Sequence, residues 1–445
     1  MTATLTLFEH ESRNFSWTDK DYAALERLRK EIGVEILRPG LRNGKRILQA
    51  AQHVGVVRFN GRTVQVLPKI YRSSDDATEA KRTREATRNL LYLLAYAGQL
   101  PVREHALAPL LRHGNDWFEI LTRLFATHLL EEWQRGAHRT YQTIEDESPV
   151  LKGKWRIADQ LRQPLRRHLF SVAYDEFTAD NPLNRIFRFV TERLWRLTRD
   201  SSNRQLLGEL RQWMEEVTLL PGLTAGEASS LTLTRLNQRY APLLNLARLF
   251  LDGGALQLAA GDLSIFAFTF DMNQLFEAFI INFIRRHRAE ILPTDIQTCE
   301  LLPQSHGATK YLARRGSKSV FLLKPDLVFR DHLAQFPLLL DAKYKRLDKT
   351  DAKLGISQAD VYQMHAYARR YNCNRVLLLY PQTVGMMQPL RARFDVEGAV
   401  ITIVAATVDL RIDISRLQGR ELLTEELRDI LGDVCDERGS FARIA

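Results

Sequence analysis

Phe321-Leu-Leu-Lys-Pro-Asp-Leu-Val-Phe329, followed after a short gap by Leu338-Leu-Leu-Asp-Ala-Lys-Tyr344, is the stretch on which the reading of this chain turns. Both segments are apolar runs with strand character, and each carries an acid at or near its end. In a strand the side-chain period is two, so Asp341 and Lys343 point to the same face. With Asp326 on the neighbouring strand, a carboxylate pair and an ammonium emerge together from a Leu-rich sheet. Hard divalent cations favour carboxylate and carbonyl oxygens, so Asp326 and Asp341 are candidate metal ligands, with the carbonyl of Ala342 beside them. Lys343 is placed to orient a water or to stabilise developing negative charge. Beside bound cations its pKa is expected to fall.

Outward from this pair, the order of elements is informative. Upstream, Asp271 is a candidate N-cap for a helix from Met272 to about His287, whose apolar face is Leu275, Phe276, Phe279, Ile280 and Phe283. Glu277 lies at the edge of that face and can reach the metal directly or through water. Downstream, Ser357 with Asp360 resembles a capping box opening a helix to about Tyr371, which carries Gln363 and Tyr367 at i, i+4. Val376 to Tyr380 is a compact strand, so strand, helix and strand predict a right-handed crossover and a parallel pair. Val400 to Val408 is a further strand, and Glu421 to Leu431 a last helix.

The remainder of the 445 residues is long enough for two more domains. Residues 1–73 read as a mainly β module. It contains a helix over Asp19–Ile32 capped by Thr18 and a hairpin turning at Asn60-Gly61, whose second strand ends at Pro68. Ser73 to Ala80 is polar and acidic and reads as a linker or exposed loop. Residues 74–258 are helix-rich, with helices over Asn89–Ala97, Trp117–Trp133, Pro182–Leu197, Gln205–Val217 and Pro242–Leu251. Trp133, Phe187, Phe189, Trp195 and Trp213 sit at core-like spacing. Within this region Val150 to Ile157 is basic, with an exposed-looking Trp155, and basic residues continue through Arg162, Arg166, Arg167 and His168. Such a stretch contacts phosphates and stacks a base, or it is a solvated hairpin. Asp175, Glu176 and Asp180 offer a second metal site, or else Asp180 and Asn181 cap the next helix. Arg42, Lys45, Arg46 and Lys69 form a basic cluster that is either a partner or DNA contact or a solvated face.

Composition sets the class. Apolar residues are 45% and charged residues 26% of the chain, the net charge is +10, and the pI is about 9.5. This favours a polyanionic partner, with nucleic acid first. Cys299, Cys373 and Cys435 show neither a metal-ligand spacing nor a disulfide framework, which points to a reducing cytoplasm. No run approaches the roughly 20 apolar residues a membrane span needs. No Gly-rich phosphate loop occurs, so a nucleotide bound by this chain is not expected.

The order of acid on a helix, Pro-Asp, apolar run with Asp-x-Lys, then a Gln/Tyr helix resembles the PD-(D/E)xK nuclease superfamily. That resemblance implies a C-terminal α/β domain over 259–445, a mixed sheet flanked by helices, within a multidomain α+β chain. It also implies Mg²⁺-dependent DNA cleavage by one or two ions replaceable by Mn²⁺, with Asp326, Asp341, Lys343, Glu277 and Gln363 in the site. A longer pattern covers most of the chain. Val54-Gly-Val-Val, Val66-Leu-Pro-Lys-Ile70, Leu151-Lys-Gly-Lys-Trp155, Tyr174 to Asn184, Phe270 to Glu277, Lys324-Pro-Asp326 and Asp341-Ala-Lys343 are similar to the McrC family. This family comprises the nuclease subunits of McrBC-type modification-dependent restriction systems. Membership implies double-stranded DNA as substrate and a hexameric AAA+ NTPase as partner, contacted through the N-terminal and middle regions and stimulated by this chain. Two other readings stay open: a regulatory NTPase-activating subunit with a weak or idle nuclease site, and a stand-alone repair-type nuclease.

Overall fold

The computed structural model describes residues 4–71, 79–98, 100, 116–162, 168–223, 225–252, 266–348, 351, 353–384, 386 and 388–436. Arg166 and Arg167 and most of the polar stretch after Ser73 lie outside them. The chain forms two compact units, one of residues 1–117 with 267–445 and the other of residues 118–266. The ends of the chain, read from sequence as separate segments, thus share a unit.

In the first unit, strands β1 (Leu5–Phe8), β2 (Ser12–Asn14), β3 (Leu37–Arg42), β4 (Lys45–Ala50), β5 (His53–Phe59) and β6 (Arg62–Leu67) build the N-terminal part. Asn60 and Gly61 both adopt positive φ, 46° and 73°, as a two-residue hairpin turn requires. Pro68 follows the last residue of β6. Thr18 and Asp21 make a reciprocal capping box for the Asp19–Ile32 helix. Strand β10 (Phe266–Asp271) belongs to this part, since it completes a four-stranded sheet of order β1-β6-β5-β10. The apolar run before Met272 therefore pairs with the N-terminal strands, a pairing distant in sequence that local pattern does not reveal.

The second sheet of this unit has the order β11 (Glu300–Pro303), β14 (Leu327–Arg330), β15 (Leu338–Ala342), β16 (Arg375–Pro381), β18 (Thr402–Val408) and β17 (Arg391–Asp395). Strands β14 and β15 are antiparallel, whereas β15, β16 and β18 run parallel. The crossover between β15 and β16 is the helix Gln358–Tyr371, as the strand-helix-strand order predicts. Its Met364, Tyr367, Ala368 and Tyr371 pack with Val328, Leu339, Val376 and Leu378 into one core. Leu327, Leu338, Leu340, Leu377 and Leu379 alternate with these and are also buried. The helices Met272–Arg286 and Leu417–Cys435 pack against β15 and against β16 and β18. Sheet strands buried on both faces read as continuous apolar runs.

One sequence expectation is revised here. Phe321 to Phe329 is not a single strand. Lys318–Leu323 (β13) pairs with Lys310–Arg315 (β12) in a separate two-stranded sheet, and β14 begins only at Leu327. Pro325 cannot donate to a ladder, so the chain changes sheet there.

The helix preceding residue 97 is also longer than its apolar pattern, running over Glu79–Tyr96. Asn89 on it is fully buried, and its side-chain amide donates to the Tyr71 hydroxyl (2.7 Å) and to the carbonyls of Leu410 (3.0 Å) and Ile412 (2.9 Å). Removing the amide deletes three buried hydrogen bonds, leaving the Leu410 carbonyl only the Tyr71 hydroxyl (3.0 Å) and the Ile412 carbonyl only the Ile414 amide (2.9 Å). Asn89→Ala is expected to destabilise the protein by roughly 2–3 kcal/mol, read as a lower urea midpoint. A midpoint unchanged from the parent chain would contradict this accounting.

In the second unit, the helices Pro182–Leu197, Ser201–Trp213 and Ala241–Asp252 and most of Trp117–Gln134 surround Phe118, Phe125, Phe187, Tyr240 and Phe250, all essentially inaccessible. Trp133 and Phe189 are buried as expected. Trp213 is 48% exposed and so is not a core residue: it ends its helix. Strands β7 (Thr140–Ser148), β9 (Phe170–Thr178) and β8 (Lys154–Trp155) form a small antiparallel sheet. Gly153, at φ 69°, is required in the turn before β8, because a Cβ there would stand 2.4 Å from the Ala173 carbonyl. Trp155 is 43% exposed and packs edge-on against Phe170.

Candidate active site

The antiparallel register of β14 and β15 builds the site. Leu327 pairs with Leu340, so one step further the chain brings Asp326 opposite Asp341. Asp326 is thus not within a strand but is the residue that leads into one. Its carboxylate accepts the Ala342 amide (2.7 Å), and its own carbonyl accepts the Gln304 amide (2.8 Å). Asp341 is 1% exposed, in register with Leu378 of β16. Lys343 continues the strand, its amide donating to the Leu379 carbonyl (2.8 Å), and its ammonium lies 2.5 Å from the Asp341 carboxylate.

The electrostatics follow from this burial. Asp326 is pushed up to about 8, first by burial and then by the charges of Asp341 and Glu277. Asp341 is also raised, by burial, against the opposing pull of Lys343. Burial works against the charge on Lys343, but Asp341 and then Asp326 outweigh it, and the net shift is upward. The downward shift expected from sequence belongs to a lysine whose nearest charges are cations. The upward shift is that of the carboxylates alone, and it is against this starting point that bound cations would act.

Glu277 faces the pair electrostatically while accepting a hydrogen bond from the Gln304 side chain (3.0 Å). Gln304 thus ties Glu277 to the backbone of Asp326. It sits at φ 47°, outside any regular element, where no periodicity marks it. Gln363 donates to the Tyr367 hydroxyl (2.8 Å). Tyr367 is buried and its pKa raised, by burial first and then by the charge of Asp341, so the Gln363/Tyr367 pair stands within the field of the site.

Sequence reasoning missed a second ion pair beside the first. Lys345 reaches both oxygens of Asp360 (2.9 and 2.7 Å). Ser357 accepts the Asp360 amide (3.2 Å), but the Asp360 carboxylate turns to Lys345 instead of closing a capping box. The alternation of Asp341, Lys343 and Lys345 was the available signal.

Among the described residues no group of three or more His, Cys, Asp or Glu side chains stands together as a ready metal cage. This includes Asp175, Glu176 and Asp180. Asp180 instead binds Arg185 (2.7 and 2.9 Å) and Thr218, and Arg185 foremost holds its carboxyl down at about 2. Asn181 is the cap, accepting the Asn184 amide. The Asp326/Asp341 pair does fit a divalent cation: two facing carboxylates, both raised in pKa first by burial, stand beside one lysine and offer the hard oxygen donors such ions bind.

Three comparisons bear on the chain. Residues 48–381, well over half of it, match the family model described as "McrBC 5-methylcytosine restriction system component". No curated protein matches. Among solved structures, the chain is similar to one from the tetradecameric assembly of Thermococcus gammatolerans McrB AAA+ hexamers with bound McrC. That match has 24% identity and a TM-score of 0.70, covering 96% of this chain and 100% of the other. A chain of the Thermococcus gammatolerans McrBC complex matches at 27% identity and a TM-score of 0.50, over 64% of this chain and 88% of that one.

Proposed function

The chain belongs to the McrBC family of 5-methylcytosine restriction system components, and from that premise we propose that it is the Mg²⁺-dependent DNA endonuclease subunit of an NTP-driven, modification-dependent restriction complex. The observation that carries the reading is the β14/β15 register, which sets Asp326 against Asp341 with Lys343 at the mouth of the pair. The six-stranded mixed sheet flanked by helices is that expected of a PD-(D/E)xK core, and the sequence order of its acids is the same.

Asp326 and Asp341 would hold Mg²⁺, with the Ala342 carbonyl and Glu277 as further oxygen donors. When bound, the ion neutralises charge at the scissile phosphate and lowers the pKa of a water. Lys343 presents its ammonium beside Asp341, where it can orient that water or bind a phosphate oxygen. Gln363, on the crossover helix, is held by the buried Tyr367 hydroxyl, which lies within the field of Asp341. Burial of both aspartates keeps bulk water from screening these charges.

A AAA+ NTPase ring is the proposed partner, by analogy with the assembly named for the solved neighbours. Tyr141 (75% exposed) and Phe177 (53%), paired across β7 and β9 with ring centroids 5.0 Å apart, form a small exposed aromatic patch that offers a contact to another chain. No helix among the described residues is long and apolar enough to cross a membrane. The test is cleavage of plasmid DNA carrying 5-methylcytosine, with millimolar Mg²⁺ and NTP, with and without the cognate AAA+ partner. Cutting that requires partner, Mg²⁺ and NTP is expected. Cutting by the chain alone would favour a stand-alone nuclease, and stimulated NTP turnover without cutting would favour a purely regulatory subunit.

A further inference from the structure

Lys69 was read from sequence as part of a surface cluster with Arg42, Lys45 and Arg46, but the fold separates it from them. Arg42 and Lys45 pair across the exposed β3–β4 turn, and Arg46 covers the Trp17 ring. Lys69 instead lies in the short 3₁₀ turn Lys69–Tyr71 after β6 and points at Tyr344, the residue next to Lys343. Its ammonium donates to the Tyr344 carbonyl (3.0 Å) and sits 4.4 Å from the centroid of the Tyr344 ring. The Tyr344 hydroxyl donates to Glu9 (2.9 Å), and the same Glu9 carboxylate accepts the Lys69 backbone amide (2.9 Å). Glu9 is 1% and Tyr344 2% exposed. Three residues far apart in sequence thus close a buried triangle around the backbone that follows Lys343.

We propose that Glu9 and Lys69 are positioning residues for the candidate active site, fixing Lys343 against Asp341 by clamping the main chain and ring of Tyr344 from the N-terminal sheet. The inference rests on the nuclease reading above. The Lys345-to-Lys343 hydrogen bond makes a three-residue turn centred on Tyr344, whose side chain goes to Glu9 while that of Lys343 goes to Asp341. The Tyr344 ring lies 6.1 Å from that of Phe276, beside Glu277 on the preceding helix. On the other flank, the Lys345 amide donates to the Lys343 carbonyl (2.8 Å). Lys343 lies just beyond the end of β15, where only the Leu379 carbonyl continues the ladder. The Glu9/Lys69 clamp therefore replaces the missing strand neighbour. A lysine displaced by about 1 Å from its working position loses on the order of a hundredfold in rate.

The test is the Lys69→Met chain assembled with its AAA+ partner, cutting 5-methylcytosine plasmid in Mg²⁺. Lysine reactivity toward acetic anhydride is measured in parallel by peptide mass spectrometry. The expected result is a fall in kcat of roughly ten- to a hundredfold with KM within about twofold, and faster acetylation of Lys343 as it leaves Asp341. Lys69→Arg, which can still bond the carbonyl, recovers most of both. Tyr344→Phe keeps the packed ring and deletes only the Glu9 hydrogen bond, so it carries the test should Lys69→Met not fold. Wild-type kcat and Lys343 acetylation in the folded variant overturn the proposal. The acetylation readout needs no cleavage, so it also separates this outcome from failure of the nuclease reading, in which the unaltered complex would not cut.

Discussion

Asp341→Ala is expected to abolish DNA cleavage, with a loss of at least about a thousandfold, the scale on which removing one essential charge-stabilising group acts, while binding of the AAA+ partner is retained. The side chain is buried at the centre of the six-stranded sheet end, in contact with Lys343 and opposite Asp326. Removing it takes away one of the two facing carboxylates and leaves the Lys343 ammonium without its closest counter-charge. Asp341 belongs to the first unit, and the substitution leaves every residue of the second unit as it is. Cleavage of methylated plasmid and co-elution with the partner are measured on one preparation. Full cutting by the variant would show that the site lies elsewhere. Loss of both cutting and co-elution would show that Asp341 serves the fold instead.

The second large effect concerns pH and cations. Asp326, raised to about 8 from 3.8, binds its proton more tightly in the folded chain than in the unfolded one. The folded state holds that proton through the interval between the two values, and the unfolded state does not. Stability without divalent cations should therefore fall as pH rises from about 4 to about 8 and level off above. Glu9 and Glu426, each raised by burial to about 7, contribute slopes of the same sign that end near pH 7. The part between pH 7 and 8 is thus the signature of Asp326, which titrates jointly with Asp341. A cation competes with that proton, so added Mg²⁺ should stabilise the protein little at pH 5 and much more at pH 8. The swing is on the order of several kcal/mol across the range. Denaturant unfolding in chelator and in Mg²⁺ at several pH values measures it, with Asp326→Asn as the control that flattens the upper slope. An Mg²⁺ effect independent of pH, or undiminished in Asp326→Asn, would remove Asp326 from the proposed metal site.

Both predictions draw on residues that were visible early. Asp341 and Lys343 follow from an apolar run and a two-residue spacing, and the pairing of Leu327 with Leu340 only carried out what two adjacent apolar runs imply. The crossover helix, its Ser357 start and the caps at Thr18, Asn181 and Asp271 are local chemistry: a side-chain oxygen meets an amide two or three residues on. Such contacts depend on neighbours within one turn, and sequence order determines them.

The rest was decided by packing between segments far apart in the chain. Nothing near Asp326 says that it will face Asp341 with both buried, and burial is what lifts its pKa. Nothing near Gln304 marks it as the bridge to Glu277, since it lies outside any helix or strand whose period could be read. Lys69 looks like any surface lysine until the 3₁₀ turn sets it against Tyr344. The sequence by itself determined the capped helices, the β15 run and the acids and lysine of the site, though not the break that divides Phe321 to Phe329 between two sheets. Only the tertiary structure decided which charges lose their water and which distant residue holds them, because desolvation and non-local contact arise from the three-dimensional neighbourhood and leave no periodic trace along the chain.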